Sequence, residues 1–123
     1  VNRSRSTLCI AERNANIREL LRREFDREGY AVLTASSGAE ILMRLAVPAR
    51  IDLLVLDAEI VDPDGGSLVP LLSRLYPQLP VVLHVFAGFE SGEDGVVQVE
   101  KGGDFDRLRS TVRQVLRDHG GSA

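Results

Sequence analysis

The sequence predicts an α/β fold, a five-stranded doubly wound parallel sheet with helices on both faces. Two observations carry this. Apolar runs of strand length alternate with amphipathic helical segments along the whole chain, an order that leads to a parallel sheet covered on both sides by right-handed crossovers. The run Leu53–Leu56 is apolar at every position and stops at Asp57, as expected of a central strand buried on both faces.

Thr7 to Ala11 is the first strand, and Ile17, Leu20, Leu21 and Phe25 then recur at helical spacing among Arg and Glu residues, the pattern of an amphipathic helix. Asn14 or Asn16 can cap its start, and Gly29 supplies the left-handed residue that ends it. Tyr30 to Ala35 reads as the second strand. Ser37 and Glu40 form a capping box ahead of a short helix through Ile41, Leu42 and Leu45. After the central strand, the turn-forming Asp62, Pro63, Asp64, Gly65 and Gly66 lead into a helix over Leu68 to Tyr76, with Pro70 tolerated in its first turn. Val81 to Phe86 is the fourth strand and Val96 to Val99 the fifth. Phe105, Leu108, Val112, Val115 and Leu116 mark a last amphipathic helix, capped by Asp104 and closed near Gly120.

The 123 residues make one domain, with a core over about 7–118 and flexible ends at 1–6 and 119–123. A net charge of −3 with interleaved acids and bases offers no basic stripe for nucleic acid. Cys9 is the single cysteine, so no internal disulfide or zinc ligand set exists, and a reducing compartment is the default. No apolar run has the length of a membrane span and residues 1–6 lack a secretory apolar stretch, which gives a cytoplasmic reading. Of the fifteen basic residues, Lys101 alone is lysine.

In doubly wound sheets the chemistry gathers at the carboxyl ends of the strands. Those ends hold Glu12 and Arg13 after strand one, Asp57 after strand three, Val85 and Phe86 at strand four, and Lys101 after strand five. An acid at a strand end has an ordinary explanation, the start of a solvated loop. Here the buried run before Asp57 and the Asp64-Gly65 pair seven residues after it favour a site.

On these residues, with Asn16-Ile-Arg-Glu-Leu-Leu in the first helix, the segment from Glu28 to Gly38, and Leu79-Pro-Val-Val before strand four, the chain resembles the response-regulator receiver domains of the CheY-like family. The resemblance runs from about Thr7 to Arg117. It implies a flavodoxin-like sheet of strand order 2-1-3-4-5 and a two-component, phosphorelay role without enzymatic turnover. Asp57 takes the phosphoacceptor position, Glu12 belongs to the acidic pocket and Lys101 is the family's lysine. It also implies Mg2+, for which Glu12 and Asp57 are the ligand positions here, a histidine kinase or other signalling protein as partner, and room for an output domain in a longer parent chain.

Three family positions are replaced. Arg13 stands where a second acid is usual, and its guanidinium is expected to be drawn to Asp57 as a bidentate pair, a fixed cation in the metal's place. Val85, or Phe86 if the strand runs one residue longer, occupies the hydroxyl position, and in the first register Phe86 takes the next position, where the family generally has a small residue that leaves the phosphoryl group room. Between strands four and five, Ala87 to Gly95 contains three glycines and no apolar face, fewer residues than the roughly 10–12 of a crossover with its helix, so that fourth helix is expected to be short or missing. His84 reads as a half-buried, satisfied side chain. The leading expectation is a receiver with phosphorylation impaired by the Arg13 and Val85 replacements. The alternative is a pseudo-receiver, a phosphorylation-independent interaction module. A cofactor-binding enzyme would need a phosphate loop after strand one, which Ala11 to Asn16 does not provide.

Overall fold

The computed structural model describes residues 5–47, 50–89, 96–102 and 104–120. Five parallel strands, β1 (Thr7–Ala11), β2 (Ala31–Ala35), β3 (Leu53–Asp57), β4 (Val81–Val85) and β5 (Val97–Glu100), form one sheet in the order β2-β1-β3-β4-β5. The helices are α1 (Ala15–Arg27), α2 (Gly38–Ala46), α3 (Leu68–Leu75) and α4 (Asp106–Gly120). This is the flavodoxin-like doubly wound architecture that the sequence predicts.

Two apolar layers hold it. On one face Leu8, Ile10, Leu53, Val55, Val82 and Val99 pack against Leu21 and Phe25 of α1 and Leu108, Val112 and Val115 of α4. On the other, Cys9, Leu54, Leu56, Leu83 and Val85 meet Ile41 of α2 and Leu68 and Leu72 of α3. The alternation of strand side chains between the two faces explains why β3 is buried at all five positions.

The helix starts are built by side chains that accept backbone N–H groups. Asn14, not Asn16, caps α1 by accepting from Ile17 at 3.0 Å, and Gly29 at φ +99° follows the helix end where a side chain would be strained. At α2, Ser37 Oγ accepts from Glu40, but the Glu40 carboxylate returns to the N–H and hydroxyl of Ser36 rather than to Ser37. Ser67 caps α3 by accepting from Val69, a cap that the sequence reading passes over. Asp104 accepts from Asp106 at the start of α4.

Several expected boundaries move. Tyr30 precedes β2, and Tyr76 follows α3 as its cap. The fourth strand ends at Val85, so Phe86 lies beyond it, and the fifth runs one residue later than Val96–Val99. His119 and Gly120 continue α4 instead of a flexible end, while residues 1–4 and 121–123 lie outside the described residues. The fourth helix in chain order, α4, is present and follows β5. In the β4–β5 connection, where a short or missing helix is expected, Ala87 and Gly88 form a turn and residues 90–95 lie outside the described residues.

His84 is buried at 3% exposure, not half-buried, on the face of β4 whose Val82 packs against α4, and its Nδ1 has no hydrogen-bond partner. Burial pushes its pKa down to about 4; the Lys101 ammonium acts in the same direction and the Asp57 carboxylate against it.

Two outcomes follow for stability. A Cβ on Gly38 would lie 2.7 Å from the Val61 carbonyl oxygen, which the Val61–Ser67 bridge holds in place. Gly38→Ala is therefore expected to destabilise by about 1–3 kcal/mol, outweighing the propensity gain of at most ~1 kcal/mol; urea unfolding reads the sign. The second concerns pH. A histidine whose pKa is lower folded than unfolded stays neutral in the native state while the unfolded chain takes up a proton, so stability falls as pH drops from about 6.5 towards about 4. Between pH 7 and pH 5 the wild type is expected to lose roughly 2 kcal/mol more than His84→Leu. Equal losses in the two proteins would remove His84 from the account.

Candidate functional site

Parallel register brings four strand ends together. Ala11 lies opposite Leu56, Asp57 opposite His84, and Val85 opposite Glu100. The residues that follow β1 and β5, Glu12 and Lys101, therefore flank the last residue of β3. The Lys101 N–H donates to the Val85 carbonyl at 2.6 Å, which extends the β4–β5 pairing by one step and aims the lysine across the sheet end.

Asp57 is 1% exposed and all of its acceptor capacity is directed. Oδ1 accepts from Lys101 Nζ at 3.1 Å and from the Glu59 N–H at 3.1 Å. Oδ2 accepts from the Arg13 N–H at 3.2 Å and from Arg13 Nε at 3.4 Å. Burial acts to raise the Asp57 pKa, but the Glu59 and Arg13 N–H groups and the Lys101 ammonium outweigh it and hold the carboxyl below its ordinary value.

Glu12 is 2% exposed. Its Oε2 accepts from the Asn14 N–H at 3.1 Å, and its Oε1 stands 3.3 Å from Lys101 Nζ as an ion pair without hydrogen-bond alignment. Burial, reinforced by the Asp57 charge, raises its pKa against the pull of the Asn14 N–H and Lys101. The two acids are thus pushed apart: Asp57 stays charged and Glu12 is the easier of the two to protonate.

The guanidinium of Arg13 is shared. Nε faces Asp57 and an Nη nitrogen pairs with Glu59 at 2.8 Å, so the expected bidentate pair with Asp57 does not form; the second contact to Oδ2 comes from the Arg13 backbone instead. The Arg13 side chain is 52% exposed and that of Lys101 23%. A partly buried pair with a buried carboxylate costs about 3–5 kcal/mol to break, whereas a half-exposed pair is worth about 0–1 kcal/mol. Lys101 is therefore the structural partner of Asp57, and Arg13 the displaceable one.

Two residues join the site that the sequence reading leaves out. Glu59 anchors the guanidinium, and Arg18 from α1 donates to the Glu12 and Arg13 carbonyls at 2.9 and 3.4 Å, fixing the turn between β1 and α1. Neither has a sequence signal, since each depends on which way a side chain leaves a loop or helix. Val85 is buried at the end of β4, and Phe86 beside it is half-exposed in an edge-on contact with Phe89, ring centres 5.3 Å apart. Neither offers a hydroxyl. A separate cleft of about 1370 Å3 opens at the opposite end of the strands, among Tyr30, Ile51, Leu79 and Leu116, remote from these groups.

The residues do not fit a magnesium ion. An octahedral oxygen set would need free oxygens of Asp57 and Glu12 facing one point; Asp57 Oδ2 is covered by Arg13 and Glu12 Oε1 faces an ammonium. Among the described residues no helix is long and apolar enough to cross a membrane.

The family profile described as response regulator receiver domain matches residues 8–113. The transcriptional regulatory protein AfsQ1 of Streptomyces coelicolor is 34% identical over 127 residues, covering 95% of this chain and 56% of the relative. The chain spans about half the length of this relative and of the YbdJ regulator of Bacillus subtilis, of which it covers 52%. Among solved structures, the response regulator TrrA of Thermotoga maritima in complex with Mg(2+)-BeF aligns with a TM-score of 0.76 and 26% identity, over 89% of this chain and 98% of that one. The same regulator in complex with the histidine kinase ThkA aligns at 0.74 and 26%, over 90% and 98%. With an Asp–Lys pair at the strand ends of a 2-1-3-4-5 sheet and a profile match across most of its length, the chain belongs to the CheY-like receiver domains of two-component response regulators.

Proposed function

We propose that Asp57 is the phosphoacceptor position of a signalling receiver and that its phosphorylation is impaired by the Arg13 and Val85 replacements. The observation that carries this reading is the buried Asp57 carboxylate at the end of β3 with Lys101 Nζ 3.1 Å from Oδ1. A carboxylate that accepts a phosphoryl group needs positive charge beside the incoming oxygens, and an ammonium is the compact point charge suited to that task. Two replacements slow the step. Arg13 brings a guanidinium to Asp57 where a second acid would help to hold a metal ion, and Val85 has no hydroxyl to donate to a phosphoryl oxygen.

In this reading the 123 residues form a single receiver domain that takes its phosphoryl group from a histidine kinase, as the TrrA–ThkA complex illustrates for a relative, and serves an output domain in a longer protein, as the transcriptional role of AfsQ1 suggests. The domain acts in the cytoplasm as a signalling module rather than an enzyme, and makes no direct contact with nucleic acid. One observation favours a second reading, the pseudo-receiver: both Asp57 oxygens are already engaged by this chain's own donors, so the charge of Asp57 is met by the fold itself.

Incubation with acetyl phosphate and Mg2+, read by intact mass, separates the two. The receiver reading expects partial addition of one phosphoryl group, absent in Asp57→Asn and increased several-fold in Val85→Thr. A wild type that stays unmodified in step with Val85→Thr and with Arg13→Asp would establish the pseudo-receiver.

A further inference from the structure

We infer that Arg13 is the built-in counter-cation of this site, so that Asp57 takes a phosphoryl group without a divalent metal, held by the Arg13 guanidinium and the Lys101 ammonium. The inference rests on the Asp57 assignment above and names the charge that serves it.

Charge counting is the first argument. Asp57, Glu12 and Glu59 meet Arg13 and Lys101 at ion-pair distances of 2.8–3.4 Å, which leaves one net negative charge with all five groups ionised. With an acid in place of Arg13 the same cluster would carry three, and only a multivalent cation could balance it before a phosphoryl dianion arrived. Replacing an acid with a guanidinium changes the local charge by two units, the charge of a magnesium ion, and covalently fixes that charge at the mouth of the site.

Geometry is the second. The two oxygens of Asp57 are unlike. Oδ1 is held by Lys101 and by the Glu59 N–H, whereas both contacts to Oδ2 come from Arg13. Half of the Arg13 side chain is in solvent, and its outer nitrogen is retained by Glu59, itself 40% exposed. A rotation of that side chain uncovers Oδ2 while the backbone N–H stays in place. Oδ2 then attacks the phosphorus of an acyl phosphate, the phosphorus–oxygen bond to the acyl group breaks with its electron pair, and the carboxylate of the donor leaves; no proton is exchanged. The new phosphoryl oxygens stand within reach of the guanidinium, whose planar fork matches a phosphoryl group better than it matches one carboxylate oxygen. Guanidinium and ammonium then flank the group, as cationic clamps do in phosphoryl transfer generally.

The test compares initial rates of single phosphoryl addition from acetyl phosphate in excess EDTA and in excess Mg2+, by intact mass, for the wild type, Arg13→Ala, Arg13→Lys and Arg13→Asp. The wild-type rates are expected to agree within about twofold, Arg13→Ala to fall by about tenfold or more in EDTA, as loss of one charge-assisted contact predicts, Arg13→Lys to lie between them, and Arg13→Asp to require Mg2+. Circular dichroism melting checks that each variant is folded, and Arg13 lies on an exposed turn outside the core. Wild-type addition that needs Mg2+, or EDTA addition that survives Arg13→Ala, overturns the inference and leaves the Asp57 assignment standing. Addition to Arg13→Asp alone shows Arg13 to be a block and likewise overturns the inference only. No addition to any variant under either condition overturns both.

Discussion

Two carboxylates held out of water at one end of a sheet set the terms for everything around them. A buried acid without compensation would neutralise itself by taking a proton or would unfold its surroundings. Asp57 does neither because backbone N–H groups and an ammonium converge on it. That convergence is a product of the parallel topology. Only when β1, β3 and β5 all run the same way do the residues leaving them reach a common edge, and the order β2-β1-β3-β4-β5 places β3 between the other two. The apolar layers beneath, with Leu53 to Leu56 buried completely, supply the rigid floor from which those charges project.

The compensation is unequal across the site, and this inequality has chemical content. Lys101 is mostly covered and spans both acids, so it behaves as part of the framework. Arg13 is half in solvent and divides its guanidinium between a buried acid and an exposed one. Glu12, whose second oxygen lacks an aligned donor, is the easier of the two acids to protonate. An arrangement of this kind separates holding the site together from opening it, which one cation could not do alone.

Much of this was open to inspection in the sequence. The alternation of apolar runs and amphipathic stretches identifies the strands, and strand ends in a doubly wound sheet identify Glu12, Asp57 and Lys101 as neighbours although 45 and 44 positions separate them in turn. The single lysine in an arginine-rich chain pointed the same way. What escaped depends on side-chain direction and on cover supplied from far along the chain. Glu59 meets Arg13 only through the rotamers both adopt, and Arg18 reaches back over a turn of helix to two carbonyls. His84 lies deeper than its place in β4 suggests, on the face where Val82 meets α4 from more than twenty residues later. The strand-four boundary, which decides whether Val85 or Phe86 ends the strand, turned on one residue of apolar sequence that periodicity alone cannot divide.

The turn between β1 and α1 is pinned at four points: the Arg13 N–H on Asp57, the Asn14 N–H on Glu12, the Asn14 cap on Ile17, and the Arg18 guanidinium on the two carbonyls. Its backbone has little freedom, whereas the arginine it carries is half in solvent and held only through its two ion pairs. Uncovering Asp57 then takes a side-chain rotation that gives up those two ion pairs, with no rearrangement of the turn itself.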